Sequence, residues 1–264
     1  MRIAATAAPR DGSRMTMLGI VLAAGFVAGA MNAAAGGGSF VSIPALMAAG
    51  LPALAANISS TIALLPGSIA SAWAYRHDFK PFGAVSLPVL LALSLAGGCA
   101  GAALLLLTPA RAFDVAVPWL LLVATLTLAF GRGLGERLRR AVRIGPATLM
   151  VVQFVLAIYG GYFGGAVGIM MMAAWTLLST ADIAAMNPVR TILVSAMNAV
   201  AVVCFVAASG VWWPQTLAML VGATAGGYAG ARAARLLPPR ALRLGVVTLT
   251  ALITAAFFWR AYGA

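Results

Sequence analysis

A glycine-rich stretch early in the sequence has the composition of a helix break that could bind an anion. Gly36, Gly37 and Gly38 interrupt an apolar run, and Ser39 follows them as the expected N-cap of a restarted short helix. A helix that starts inside a membrane presents unpaired N–H groups and the positive end of its dipole to whatever fills the gap. An anion is the matching ligand. Close helix packing and an ordinary loop are the alternatives that these glycines leave open.

Small polar side chains follow the break and recur later in the chain. Asn57 and Thr61 have counterparts in Asn187 and Thr191, 130 residues further on. Such side chains could hold a small oxyanion by neutral hydrogen bonds, although polar side chains also join membrane helices without any ligand. The predicted substrate-binding residues of the whole chain are Gly36, Gly37, Gly38, Ser39, Asn57, Thr61, Asn187, Arg190, Thr191, Ser195 and Asn198.

Arg190 is the most specific single candidate in this set. It is the only basic residue between positions 144 and 231. Its planar guanidinium matches the oxygens of a sulfite, sulfonate or carboxylate, and charges within a membrane are costly and usually functional. Two alternatives stay open, since Arg190 could reach the lipid head groups or pair with Asp182.

The composition places these residues in a membrane protein. Of the 264 residues, 63% are hydrophobic and 8% are charged, whereas a soluble domain carries about 25% charged residues. Five acids, one histidine and one lysine cannot cover the surface of a soluble enzyme of this size. The sequence therefore predicts a polytopic protein with lipid as a partner. A nucleic-acid partner is not expected, because no basic stripe alternates with aromatic residues.

Charge-free intervals give the number of membrane spans. The longest runs over 61 residues between Arg14 and Arg76, and the interval 144–181 has room for one helix and a short additional piece. Alternating strands of a membrane barrel are absent, so the predicted fold is all-α. Eight transmembrane helices are expected, at about 16–35, 53–75, 82–107, 113–131, 145–166, 185–208, 214–236 and 241–261.

An internal repeat divides the chain. The segment GGCAGAALLLLTPAR at 97–111 recurs as GGYAGARAARLLPPR at 226–240, an offset of 129. The sequence thus predicts two homologous halves, 1–135 and 144–264, joined by a basic linker at 136–143. In the second half the glycines at 160, 161, 164, 165 and 168 are spaced as for close helix packing, and no triple glycine occurs there.

Four spans per half imply parallel halves with an axis along the membrane normal. If the short pieces after the glycines also cross, each half has five spans and the repeat is inverted. We prefer four, because eleven of the 17 basic residues then lie on the side of both termini. The positive-inside rule would make that side cytoplasmic and the protein an inner-membrane protein.

Several other features are predicted to have no catalytic role. Residues 16–35 resemble a signal peptide, but they are interpreted as a retained helix because a similar stretch recurs in mid-chain. Cys99 and Cys204 are expected to be buried apolar residues, and His77 to lie in a solvated loop. Trp212 and Trp213 are expected to form part of an interfacial belt. No metal site, cofactor or enzyme activity is predicted, since paired acids, histidine clusters and phosphate-binding loops are missing.

The sequence resembles the sulfite exporter TauE/SafE family of membrane transporters. The resemblance is carried by GFVAGAMNAAAGGGSFVSIPALMAAGLPALAANISSTIAL at 25–64, GGYFGGAVGI at 160–169 and NPVRTILVSAMNAV at 187–200. It covers about 16–260 and implies an inner-membrane transporter of sulfur-containing anions, generally regarded as an exporter. By motif position it adds a substrate role for Gly36, Gly37, Gly38, Asn57, Thr61, Asn187 and Thr191.

Export is also consistent with the energetics of a charged substrate. An inside-negative potential drives a monovalent anion outward with about 2.3 kcal/mol per 100 mV. Export therefore needs no coupling ion, in agreement with the near absence of acids within the spans, which contain only Asp114. The alternative functions are transport of another small anion, such as a carboxylate, and a non-transporting membrane scaffold. The sequence leaves homo-oligomerisation open.

Overall fold

The computed structural model describes residues 11–74, 85–139, 145–178, 183–208, 210–233 and 239–263, and these ranges contain helices and short connections but no strand. The all-α prediction is confirmed. The helices are α1 Asp11–Ala35, α2 Ser39–Ala48, α3 Ala53–Ala74, α4 Leu87–Leu107, α5 Ala110–Arg139, α6 Pro146–Phe163, α7 Val167–Leu178, α8 Ile183–Ala208, α9 Trp213–Ala233 and α10 Pro239–Tyr262.

The eight predicted spans coincide with the eight long helices, and α2 and α7 are short. Among the described residues, seven helices are long and apolar enough to cross a membrane. The helix outside that group is α9, which contains several glycines, two threonines and Gln215. Eight crossings therefore remain a prediction. The expected helix and short piece within 144–181 are confirmed as α6 and α7.

Local sequence explains where the helices around the second break begin and end. Gly145 precedes α6 in an extended conformation, and Pro146 occupies the first helical position, where its missing N–H costs nothing. Gly164 ends α6 in the left-handed conformation, with φ of 71°. A residue without a Cβ adopts this conformation readily, so the chain can leave the helix axis at this point.

Helices α1 and α9 pack through glycines with their backbones in contact. A Cβ on Gly29 would overlap the carbonyl of Ala223, and one on Gly226 would overlap the carbonyl of Phe26. Contacts advance along both helices together, since Leu22 lies at Gly222 and Phe26 at Gly226. The two helices are therefore parallel. Small residues allow their backbones to approach closely, because helix association in lipid depends on van der Waals packing rather than on the hydrophobic effect.

Helices α4 and α6 form a second contact of the same kind. Gly97 lies against Ala157, and Gly101 lies against Ile158, so these helices are also parallel. Gly161 lies on the backbone of Gly98, as expected from the glycine spacing in the second half. Both glycine contacts join a helix from the first half of the chain to one from the second. The two halves are thus held together where their backbones meet.

Helices α5 and α10 run in opposite directions. Trp119 of α5 stacks edge-on against Phe258 at 5.1 Å between ring centroids, whereas Thr125 bonds Thr254 at 2.9 Å between hydroxyl oxygens. Moving up α5 therefore means moving down α10. If the two halves were parallel copies, these corresponding helices would also be parallel. The antiparallel contact of α5 with α10 therefore shows that the predicted parallel arrangement of the halves is wrong. A count of long helices alone misses the reversal of the chain at the short ones.

The short helix α2 folds back along α1. Gly38 lies against Ala28, ten residues earlier in the chain, and also against Leu64 in the middle of α3. One turn further along α2, Ser42 lies beside Ser60 of α3. Helix α2 is therefore antiparallel to both of its neighbours, and α1 and α3 point the same way. The five-segment alternative agrees with the described helices of the first half.

Candidate functional site

The first helix break is built from three glycines with different roles. Gly36 ends α1 with φ of 77° and donates its N–H to the carbonyl of Asn32 at 2.8 Å. Gly38 is fixed by packing, since a Cβ there would lie 2.5 Å from the carbonyl oxygen of Ala28. Gly37 has more space, because its nearest neighbour would be the flexible end of Met31 at 3.1 Å. The break therefore depends on conformation at Gly36 and on close approach at Gly38.

Ser39 does not cap α2, and that prediction is wrong. Gly38 occupies the cap position with helical φ and ψ, and it makes no side-chain cap hydrogen bond. The first turn instead closes on backbone carbonyls, with Phe40 N–H donating to Gly37 at 3.1 Å and Val41 N–H to Gly38 at 3.1 Å. Because Ser39 is already the first helical residue, its hydroxyl is left out of the cap and stays buried at the start of α2.

A chain of hydroxyl groups joins α3 to this start. Ser60 and Ser42 are bonded at 2.5 Å between oxygens, and Ser42 donates to the carbonyl of Gly38 at 3.2 Å. Since Ser42 has one proton to give, Ser60 is the donor in the pair. The arrangement fixes the first turn of α2 against α3. The sequence analysis did not identify Ser42. A serine within an otherwise apolar short segment was the signal that could have revealed it.

Asn57 joins the two halves of the chain. Its Nδ2 donates to the carbonyl of Tyr162 at 3.0 Å, in the last turn of α6, where carbonyls have lost their helical partners. A carbonyl can only accept, so this bond fixes the amide orientation and places Oδ1 on the other side. Asn57 Oδ1 is buried and has no hydrogen-bond partner among the described residues. Asn57 thus acts as a cap for the second helix break and keeps one unused acceptor.

Thr61 lies one turn beyond Asn57 and also faces the second break. Its hydroxyl donates to the carbonyl of Asn57 at 2.9 Å, within its own helix. A Cβ on Gly164 would lie 3.2 Å from that hydroxyl oxygen, so the left-handed glycine packs directly against α3. The predicted residues Asn57 and Thr61 therefore contact the break of the opposite half.

The second break differs from the first in conformation and in charge. Gly164 is followed by Gly165 and by Ala166, which has φ of 57° although it carries a Cβ. In the first turn of α7, Gly168 lies against the Arg190 side chain, with its Cβ position 3.6 Å from Nη1. Gly168 also faces Val194, near the middle of α8, so α7 begins at mid-bundle as α2 does. Arg190 therefore lies at the start of the short helix α7.

The remaining predicted residues lie on α8. Thr191 is buried, and Ser195 donates to the carbonyl of Ser68 on α3 at 2.8 Å. Asn198 is also buried, and its Oδ1 has no hydrogen-bond partner among the described residues. The side chain of Asn187 lies outside the described residues. The structure thus joins α3 and α8 at Ser195, while the predicted common stripe of Thr191, Ser195 and Asn198 is buried along one helix.

A buried polar pair elsewhere was not predicted. Gln153 of α6 donates to the hydroxyl of Ser94 on α4 at 2.9 Å, and Ser94 donates to the carbonyl of Leu90 at 2.7 Å. Both side chains are fully buried in the parallel contact of the two helices. A single glutamine within the apolar 144–181 interval was the signal that could have revealed it. The pair bonds helices together, as polar groups in membranes do.

Other predictions have mixed outcomes. Cys99 is exposed on the outside of the bundle and Cys204 is partly exposed, so the prediction that both are buried is wrong. Their sulfur atoms are 4.0 Å apart across α4 and α8, and both are free thiols. Trp212 and Trp213 are exposed, and His77 lies outside the described residues. The part of the chain that the structure describes contains no cluster of metal-ligating side chains.

These features define an integral membrane protein of the transporter class. Apolar helices form its outer surface, and two short helices begin inside the bundle, a feature of transporter binding sites. The pattern of the family described as Sulfite exporter TauE/SafE matches residues 21–257. The chain belongs to that family.

Curated relatives agree with this class. The probable membrane transporter protein YfcA of Escherichia coli K12 is 26% identical over 94% of this chain and 91% of its own length. A probable membrane transporter protein, ORF9, of a Sinorhizobium species is 27% identical over 82% of each chain. One from Haemophilus influenzae is 24% identical over 90% of this chain and 93% of its own. The comparison with solved structures found no significant match.

Proposed function

We propose that the protein is a secondary transporter that exports sulfite or a related small sulfur-containing anion across the inner membrane. The observation that carries this proposal is the position of α2 and α7. Each begins beside the middle of a long helix, as the contacts of Gly38 with Leu64 and of Gly168 with Val194 indicate. A helix start at that depth presents N–H donors and a positive dipole end where an anion must pass.

The substrate class follows from the groups around these helix starts. Near α2 the groups are the backbone of Gly36, Gly37 and Gly38 and the hydroxyl of Ser39. Near α7 they include the guanidinium of Arg190, with Thr191 next to it in α8. A guanidinium fork and several N–H or O–H donors suit a compact oxyanion. We propose that Asn187, Ser195 and Asn198 line the same path, and that Asn57 and Thr61 fix its wall.

The proposed direction rests on charge and voltage. An inside-negative potential of 100 mV favours a monovalent anion outside by about fiftyfold at equilibrium. The described spans carry no acid except Asp114, near the start of α5. Export down this gradient needs no coupling ion, so the composition of the spans supports export over uptake.

The proposal includes a duplicated architecture with halves at 1–135 and 144–264 and a linker at 136–143. The order of long and short helices supports it, since α1–α5 and α6–α10 both read long, short, long, long, long. The helix contacts support it as well. Helix α1 packs on α9 as α6 packs on α4, and these pairs occupy corresponding places in the two halves.

Counterflow of labelled sulfite in proteoliposomes tests the proposal. Wild type is compared with Arg190→Ala, and Arg111→Ala serves as the control because Arg111 is exposed at the start of α5. A hydrogen bond to a charged group contributes about 1.5–3 kcal/mol, so flux at low substrate concentration should fall about tenfold or more in Arg190→Ala. Arg111→Ala should match wild type.

Each alternative result of the counterflow assay would contradict a different part of the proposed function. Full flux in Arg190→Ala would assign that arginine a role outside the path and leave the transporter in place. Folded wild-type protein without sulfite flux would contradict the substrate, and small carboxylates in the same assay would then test the alternative anion. Absence of flux for every anion would favour the scaffold function.

A further inference from the structure

The pairing of α5 with α10 defines the symmetry of the molecule. Thr125 and Thr254 are separated by 129 residues, the same offset that relates Gly97 to Gly226 in the repeated segments. These two threonines are bonded to each other at 2.9 Å. Corresponding residues that touch must lie at a two-fold axis relating the copies. Since α5 and α10 are antiparallel, that axis is perpendicular to the helices and lies in the membrane plane.

The other end of the same pair confirms the direction. The indole Nε1 of Trp119 donates to the hydroxyl of Tyr262 at 2.9 Å, and that hydroxyl donates to the carbonyl of Val115 at 3.2 Å. The start of α5 therefore lies at the end of α10. Across the Thr125 contact the helices run past each other in opposite directions, which an axis along the membrane normal does not allow.

The direction of every long helix follows from these contacts. Since α2 folds back along α1, the helices α1 and α3 point the same way. Parallel packing of α4 with α6 and of α1 with α9, together with antiparallel α5 and α10, then completes the set. Helices α1, α3, α5 and α9 run from the side of the termini to the opposite side. Helices α4, α6, α8 and α10 run back.

This tracing changes the balance of charge across the membrane. The ends of α3, α5 and α9, and the start of α8, lie on the side opposite to the start of α1 and the end of α10. By sequence position, eleven of the 17 basic residues fall in or beside the segments that follow α3, α5 and α9, and five flank the start of α1, the start of α5 and the end of α10, while Arg190 lies within the bundle. The eleven are Arg76, Lys80, Arg132, Arg137, Arg139, Arg140, Arg143, Arg232, Arg235, Arg240 and Arg243.

We infer that the two halves are inverted copies and that both termini face away from the cytoplasm. The inversion rests on helix contacts, and the orientation on the excess of lysine and arginine in cytoplasmic segments. This reverses the orientation expected from eight simple crossings. It also means that α2 and α7 both begin at the midplane and run toward opposite sides, so each side of the membrane has one half-helix. The inference is independent of the transported substrate.

Labelling of single cysteines by a membrane-impermeant maleimide tests both parts. In a Cys99→Ala and Cys204→Ala background, Ala264→Cys reports the C-terminal side and Ala141→Cys the connection after α5. Gly210→Cys, between α8 and α9, is a second reporter for the C-terminal side, because Gly210 is exposed and nothing lies within 4 Å of a Cβ there. We expect positions 264 and 210 to be labelled in intact cells, and position 141 only after permeabilisation.

The three positions separate the two parts of the inference. Labelling of position 141 together with 264, from either side, would contradict the inversion because parallel halves place both on one side. Labelling of 141 alone in intact cells would keep the inversion and contradict the orientation. An alkaline phosphatase fusion at the C-terminus provides an independent readout and should be active, whereas a fluorescent protein exported there by the same route should stay dark.

Discussion

The two helix breaks occupy corresponding places but are chemically unequal. The first reads Gly36-Gly37-Gly38 and enters α2 at Ser39. The second reads Gly164-Gly165-Ala166 and enters α7 at Val167. A single left-handed residue, Gly36, opens the first break, whereas the second needs positive φ at both Gly164 and Ala166.

The difference bears on the proposed function, because each break brings different groups to the start of its short helix. The first break combines tight glycine packing with the hydroxyls of Ser39 and Ser42. The second has an apolar helix start and obtains its polarity from Arg190, which lies against Gly168. Under the proposed function, the first break would supply backbone N–H groups and the hydroxyl of Ser39, and the second the guanidinium of Arg190.

Of the substitutions that test the difference between the two breaks, Gly38→Ala is expected to lower thermal stability most. The new Cβ would lie 2.5 Å from the carbonyl oxygen of Ala28, and backbone atoms cannot give way cheaply. Overpacking of this kind costs about 1–3 kcal/mol, so the midpoint of thermal unfolding in detergent should fall by several degrees. Gly67→Ala is the control, because nothing lies within 4 Å of a Cβ at Gly67. Equal midpoints for the two variants would contradict the close approach of α1 and α2.

An intermediate effect is expected from Asn57→Leu, which removes the bond between the halves. The carbonyl of Tyr162 would lose its donor in a buried place, at a cost of about 1–3 kcal/mol. Thermal unfolding should again move to a lower temperature. Ser71→Ala is a suitable control, since the hydroxyl of Ser71 bonds the carbonyl of Gly67 within its own helix. An unchanged midpoint in Asn57→Leu would show that Asn57 does not cap the second break.

The smallest changes in stability are expected from substitutions at the left-handed residues, and they should differ in direction between the two breaks. A non-glycine residue in the left-handed region costs about 1–2 kcal/mol, so Gly36→Ala should destabilise the protein. Ala166→Gly should release that strain and offset the added flexibility of the unfolded chain, leaving stability equal or slightly higher. Differential scanning fluorimetry of both variants measures the contrast. A fall of equal size in both would mean that Ala166 is not strained.

Much of the fold could be predicted from charge and glycine placement. Charge-free intervals locate the long helices, because a charged residue in lipid is costly, and the glycine run at 36–38 locates the first break. The direction of α2 could not be predicted, since a glycine break does not say whether the chain continues or turns back. That reversal is visible in the contacts of Gly38 with Ala28 and of Ser42 with Ser60.

The sequence could indicate which residues belong to the candidate site, but not which contacts each of them makes. The sequence places Asn57 near the first break, whereas the structure pairs it with Tyr162, 105 residues away. Contacts at such separations depend on how whole helices pack and leave no local signature. Arg190 was a strong candidate because a lone charge in an apolar stretch requires a purpose. Its position at Gly168 could not be anticipated, as the start of α7 has no triple glycine.

The central claim is that an anion leaves through the two unequal breaks, driven by the membrane potential alone. The most direct test is efflux of hydrogensulfite from wild-type proteoliposomes under imposed potentials of both signs, without sodium or proton gradients. An inside-negative potential should accelerate efflux, and 100 mV should hold an outside excess of about fiftyfold at equilibrium. Efflux that ignores the potential and instead requires a sodium or proton gradient would contradict the account.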